Sequence, residues 1–254
     1  MQHPLDEVIE RLAAKDVASA VGHLGRVFDR LPEATSTEAV FAAALAQRFS
    51  GQLRGRANLY VHDFDVPQIR LFDLLATRVP QVARAAQAAN LFLARALEGR
   101  TEATLISLGL GTGRQEVALL EQLAAQGLRR LWVVGVEPQR DCLAQAEARL
   151  GVRAAELGVE LHFSGVHDTA EGLSAARWAA LEACPHPRVV NAAFALHHIG
   201  DRAGGPREDV LAFVRGLDPV AVVLCEPDVN HFEPQLRQRY RNCRRHFDAT
   251  LSPP

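Results

Sequence analysis

No two of the four cysteines form a C-x-x-C pair: Cys142, Cys184, Cys225 and Cys243 are scattered along the chain. With no secretory context, that spread fits reduced thiols in a cytoplasmic protein and offers no zinc framework. Charge of one sign is missing too. The 28 basic and 30 acidic side chains leave a net charge of -2, so no global field draws the chain to nucleic acid, and such a partner would need a local patch. The start, Met1-Gln2-His3-Pro4-Leu5-Asp6-Glu7, lacks the basic residues and apolar run of a signal peptide, and no apolar stretch approaches membrane-spanning length. A soluble protein with no membrane partner is expected. Low-complexity segments and fixed-period repeats are absent as well.

What is present is apolar: 48% of 254 residues are hydrophobic, enough for one large core or two modest ones. The hydrophobic period changes near Arg100. Before it the chain reads helical. Leu5 to Leu31 has apolar residues at helical spacing, and Thr35-Ser36-Thr37-Glu38 resembles a capping box opening a helix to about Phe49. Pro67 and Pro80 punctuate the following pieces. Val82, Ala86, Ala89, Leu93 and Ala96 then form one stripe, with Gly99 placed to end the helix. Residues 1–100 are therefore expected to form a helical cap.

From residue 101 to 254, short apolar strands alternate with amphipathic helices, the pattern of a parallel sheet covered on both faces. Strands are predicted at Thr104–Leu108, Leu131–Val136, Val159–Phe163, Arg188–Phe194 and Val220–Cys225. Helices are predicted at Arg114–Gln126 and Pro206–Gly216. The fold class is α/β, a doubly wound, mostly parallel, Rossmann-type sheet.

In such a fold the chemistry belongs at the carboxyl ends of the strands. The first strand runs into Gly109-Leu110-Gly111-Thr112-Gly113 and then a helix, so backbone N–H groups can approach a ligand unobstructed. A dinucleotide fingerprint needs glycine at 114, where Arg114 stands. The G-x-G-x-G spacing suits S-adenosylmethionine better, leaving NAD the lesser reading. Glu137 ends the second strand, where nucleotide-binding sheets grip ribose hydroxyls with a carboxylate. The bland alternative is a tight turn beside a solvated loop acid. Asp168, after the third strand, either meets an adenine amino group or merely forms a turn.

The order of segments resembles the GRAS-domain family, plant regulators whose bacterial relatives are taken to be Rossmann-type methyltransferases. The resemblance rests on Leu71-Phe72-Asp73, Ala89-Asn90-Leu91-Phe92-Leu93-Ala94, and Val190-Asn191-Ala192-Ala193-Phe194-Ala195-Leu196-His197-His198-Ile199. It continues through Leu217-Asp218-Pro219-Val220-Ala221-Val222-Val223 into Glu226-Pro227-Asp228-Val229-Asn230-His231. It implies a class I methyltransferase-like fold that binds S-adenosylmethionine and leaves S-adenosylhomocysteine, with Asn191 beside the cofactor. Two departures stand out. The glycine turn, generally degraded in plant members, is complete here, whereas Ser107 holds a position where methyltransferases often carry an acid. The chain also stops at Pro254, where the implied fold continues with two more strands, so it is expected to be a fragment or to pair its open edge at Val220–Cys225 with a second copy as a homodimer.

His197 and His198 follow the fourth strand, where a general base would serve an acceptor that must lose a proton; packed loop histidines are the plain alternative. No third ligand at metal spacing accompanies them. Asn90, Glu226, Asn230 and His231 are candidates for a substrate pocket. Arg237, Arg239, Arg241, Arg244 and Arg245 read either as a patch for an anion or RNA, or more simply as the solvated face of a helix carrying Leu236, Tyr240, Cys243 and Phe247. The expected function is methyl transfer to a small molecule held between cap and sheet. The competing class is a non-catalytic interaction protein with a vestigial pocket.

Overall fold

The structure, a computed structural model, describes residues 5–29, 37–50, 68–199, 205–230 and 233–251. These form two compact units, one of residues 1–57 with 227–254, the other of residues 58–226. The change of hydrophobic period near Arg100 thus marks where helices give way to strands, not where the units divide. Two helices expected in a cap over residues 1–100 belong with the sheet, and the last helix belongs with the N-terminal ones. The expected capping box at 35–38 begins outside the described residues.

In the larger unit the order is α4 (Gln68–Arg78), α5 (Pro80–Ala96), β1 (Glu102–Leu108), α6 (Arg114–Ala125), β2 (Arg130–Val136), α7 (Arg140–Leu157) and β3 (Glu160–Val166), followed by α8 (Ala175–Glu182), β4 (Arg188–Ala193), α9 (Pro206–Gly216) and β5 (Ala221–Cys225). The five strands pair in parallel in the order β3-β2-β1-β4-β5. Alternation along β1 explains why so apolar a strand is needed. Ala103 and Leu105 enter a core with Leu93 of α5, Leu120 of α6 and Leu150 of α7, while Ile106 and Leu108 enter another with Trp178 of α8 and Val214 of α9. Both faces are therefore dry, and the α/β doubly wound class is the observed one.

Helix ends follow their local chemistry. Pro80 and Pro206 open α5 and α9 at a position whose N–H has no partner within the helix, and Glu208 and Asp209 meet the positive end of α9. Arg188, 7% exposed, donates to the carbonyls of Cys184 and Leu217, each at 2.8 Å, and to that of Glu182. A buried guanidinium is tolerated there because the ends of two helices supply acceptors.

Strand ends differ from expectation by up to three residues, with β1 beginning at Glu102, β2 at Arg130 and β3 at Glu160. β3 runs on to Val166, β5 begins at Ala221, and Phe194 leaves β4 with φ +57. The outer edge of β5 meets no strand among the described residues. Val222 and Leu224 on it are 41% and 47% exposed.

The smaller unit holds α1 (Asp6–Ala13), α2 (Val17–Phe28), α3 (Thr37–Phe49) and α10 (Leu236–Leu251). Leu5, Val8, Leu24, Ala42 and Tyr240 form its core, and Phe41 meets Tyr240 and Phe247 edge-on at 5.7 and 5.9 Å. Of the arginine run on α10, Arg239 and Arg244 are half-buried, and Arg239 donates to the Glu233 carbonyl at 3.0 Å. Arg237 pairs with Glu10 at 2.6 Å, and Arg244 with Asp248 at 3.3 Å. Arg241 and Arg245 are exposed.

Candidate functional site

The strand order reverses between β1 and β4, which opens a crevice at their carboxyl ends. The glycine turn fills the start of it. The N–H groups of Gly109 and Leu110 donate to the carbonyl of Val136 at 2.9 and 3.1 Å, which ties the turn to the end of β2. Gly109 has φ +76, and a Cβ there would lie 2.6 Å from that of Ala195. Gly113 has φ +74, and a Cβ there would lie 2.8 Å from that of Ala146 on α7. The first glycine thus lets the loop after β4 approach, and the last lets α6 begin against α7.

Glu137 closes β2 and is 3% exposed. Its Oε2 accepts the N–H of Gly111 at 2.9 Å and its Oε1 that of Gln139 at 3.0 Å. Burial pushes its pKa up, and the two backbone donors oppose that shift. Each oxygen keeps a further lone-pair site, since a carboxylate offers about four.

A cavity of about 260 Å³ lies over this edge. Its walls include residues 109–112, Glu137, residues 168–171, Phe194 and His198. Phe72 of α4 and Val82, Ala86 and Asn90 of α5 complete it. Phe194 adopts a left-handed backbone, uncommon for an aromatic residue, and its ring stands 5.6 Å from that of Phe72. The strained residue therefore lies in the wall of the cavity.

Beneath the cavity runs a chain of five polar side chains. Ser107 and Asn191 are direct neighbours across β1 and β4. Ser107 Oγ donates to Glu116 Oε1 at 2.7 Å, and Asn191 Nδ2 donates to the same oxygen at 3.3 Å. Gln115 Nε2 donates to Asn191 Oδ1 at 3.3 Å and Asn90 Oδ1 at 3.1 Å, and Asn90 Nδ2 returns a bond to the Gln115 carbonyl at 2.9 Å. Glu116 is 3% exposed, and burial raises its pKa against the pull of Ser107 and Asn191.

The candidates named from sequence are placed as follows. Gly109, Gly111, Glu137, Asp168, Asn90 and His198 line the cavity. Asp168 also accepts the N–H of Thr169 at 2.9 Å, so it forms a turn as well as a wall. Asn191 is buried below the floor, and Gly113 faces α7. His197 and Glu226 lie outside the lining and bind each other. Glu226 accepts the N–H of Leu196 at 2.7 Å and approaches His197 Nδ1 at 2.6 Å, holding the turn that carries His198 into the cavity. The two histidine rings are 3.8 Å apart. Asn230 is exposed and belongs to the smaller unit, and His231 lies outside the described residues. Of His197, His198 and Glu226, only His198 lines the cavity, so these three do not share it as expected. Glu116 and Gln115 were missed, since an acid in the first turn of a helix reads as ordinary complementarity to its dipole.

Among the described residues no helix is long and apolar enough to cross a membrane. The chain is 26% identical over 185 residues to the GRAS family protein RAD1 of Medicago truncatula, covering 70% of this chain and 35% of that one. It is 27% identical over 219 residues to the DELLA protein RGA of Arabidopsis thaliana, covering 83% and 36%. It thus spans about a third of the length of these curated relatives. Among solved structures, the plantazolicin methyltransferase BpumL in complex with S-adenosylhomocysteine is similar at 15% identity and a TM-score of 0.39, over 77% of this chain and 72% of that one. The GRAS domain family matches residues 2–252, nearly the whole chain. The protein belongs to the GRAS domain family.

Proposed function

We propose that this chain is an S-adenosylmethionine-dependent methyltransferase acting on a small molecule held beside the cofactor in the cavity over β1, β2 and β4. The observation that carries the reading is the buried carboxylate of Glu137, fixed by Gly111 and Gln139 at the rim of a cavity walled by the glycine turn. Its remaining lone pairs suit a vicinal pair of ribose hydroxyls. Residues 109–112 and Asp168 stand in the wall of the same cavity.

When bound, S-adenosylmethionine supplies a methyl group on a sulfonium, whose transfer depends mainly on aligned approach of the acceptor. Phe72, Phe194 and the apolar residues of α5 exclude water from that approach. His198 takes a proton where the acceptor must lose one. Glu226 and His197 act behind it, by fixing the backbone of the turn.

A second reading, a non-catalytic interaction protein with a vestigial pocket, draws on the curated relatives, whose names are those of GRAS and DELLA proteins. Calorimetric titration of the chain with S-adenosylmethionine, S-adenosylhomocysteine and NAD separates the possibilities. Saturable binding of the first two and none of NAD is expected. Binding of none supports the vestigial pocket, and binding of NAD alone overturns the cofactor assignment.

A further inference from the structure

The polar chain under the cavity ends at the carboxyl group of Glu116. Glu116 Oε1 is occupied by Ser107 and Asn191, whereas Oε2 is buried and has no hydrogen-bond partner among the described residues. Leaving a buried carboxyl oxygen unmatched is costly, more so if the group is charged. Both of the strand groups that reach Oε1 are neutral. Arg114 lines the same cavity but is exposed at the start of α6, and it forms no ion pair with Glu116. Glu116 is itself part of the cavity wall, next to Asn90 and Gln115.

We propose that Glu116 Oε2 receives the ammonium group of an amino-acid-bearing ligand, so that α6 supplies the acid that β1, with Ser107, does not. This rests on the cofactor reading above and sharpens it. S-adenosylmethionine and S-adenosylhomocysteine carry such an ammonium, and adenine nucleosides lacking the amino-acid end do not. The geometry gives each partner a task. Ser107 and Asn191 hold Oε1 and so fix the carboxyl plane; Asn90 and Gln115 hold Asn191 in turn. Within this polar chain, Oε2 is then the carboxyl oxygen left without a donor among the described residues. The bond formed is charge-assisted and shielded from water, the setting in which such a bond discriminates most strongly.

The test is calorimetric titration of the wild-type chain and Glu116→Gln with S-adenosylhomocysteine and with 5′-methylthioadenosine, which lacks the amino-acid end. Glutamine keeps an acceptor for Ser107 but carries no charge. The wild type is expected to lose about tenfold or more in S-adenosylhomocysteine affinity on this substitution, while 5′-methylthioadenosine affinity changes by less than about twofold. Equal losses for both ligands, or none for either, overturn the role of Glu116 and leave the cofactor reading standing. Binding of neither ligand to the wild type overturns both. Should Glu116→Gln not fold, the wild type alone decides. It should prefer S-adenosylhomocysteine over the analogue lacking only the amino group by about the same factor, and equal affinities overturn the proposal.

Discussion

The carboxylate of Glu137 accepts the backbone N–H of Gly111 at 2.9 Å across 26 positions of sequence, so the end of β2 holds the middle of the glycine turn in place. The same carboxylate accepts the N–H of Gln139, which leads into α7. Removing it strands two backbone donors, one of them fully buried. At about 1–3 kcal/mol for a buried donor left unmatched, Glu137→Ala should destabilise the fold by roughly 2–4 kcal/mol in total. Thermal melting followed by circular dichroism should show a fall of roughly 4–16 °C. An unchanged melting temperature would mean that the turn holds itself.

Glu116 and Glu137 are both held above the ordinary glutamate pKa by burial. Between that ordinary value and the raised ones, the folded state binds more protons than the unfolded chain, so stability falls as pH rises through the window. Asp16 and Glu160 are shifted the other way, and their contribution is lost at lower pH, as pH falls through their lowered values. Glu116→Gln, neutral at every pH, should flatten the decline and melt at or above the wild-type temperature beyond the window. A wild-type melting temperature that rises through the window, with Glu116→Gln following it in parallel, contradicts the burial of an uncompensated acid.

Gly99 and Gly113 share φ +74 but differ in surroundings. A Cβ at Gly99 meets nothing within 4 Å, whereas one at Gly113 meets Ala146 Cβ at 2.8 Å and Cα at 3.0 Å. Alanine at 99 should cost only the left-handed backbone penalty, about 1–2 kcal/mol. Alanine at 113 should add overpacking of about 1–3 kcal/mol. Urea denaturation of the two variants measures the difference. Equal losses would mean that α7 yields freely to a larger neighbour.

The exposed apolar positions on β5 sit on a strand whose outer edge is unpaired among the described residues. Such edges pair with other chains. Light scattering should show concentration-dependent self-association of the wild type, and lysine at both Val222 and Leu224 should abolish it. A wild type that stays monomeric at high concentration sinks this expectation.

Much of the fold was legible because the hydrophobic pattern is local. Ala103, Leu105, Ile106 and Leu108 are apolar on both faces of one strand, which only a sheet covered on both sides requires. The place of Glu137 in the cavity wall was legible because an acid directly after a strand lies at the carboxyl edge of the sheet. Glu116 was not, since its burial depends on Ser107 and Asn191, 9 and 75 positions away, converging on it from two strands. The division into units was hidden for a similar reason. The core of the smaller unit joins Tyr240 to Leu5 and Val8, and no local pattern announces a pairing at that separation. The histidines show the limit from another side. Adjacent in sequence, they divide their work, with His198 in the cavity wall and His197 bound to Glu226.

The central claim is that this edge of the sheet binds S-adenosylmethionine and its product through Glu137. Calorimetric titration with S-adenosylhomocysteine, on the wild type and on Glu137→Ala kept well below its melting temperature, tests it most directly. Loss of charge-assisted hydrogen bonds at about 1.5–3 kcal/mol each predicts saturable one-site binding by the wild type and affinity weaker by about tenfold or more in the variant. Absence of heat from the wild type, or equal affinity in the two proteins, would contradict it.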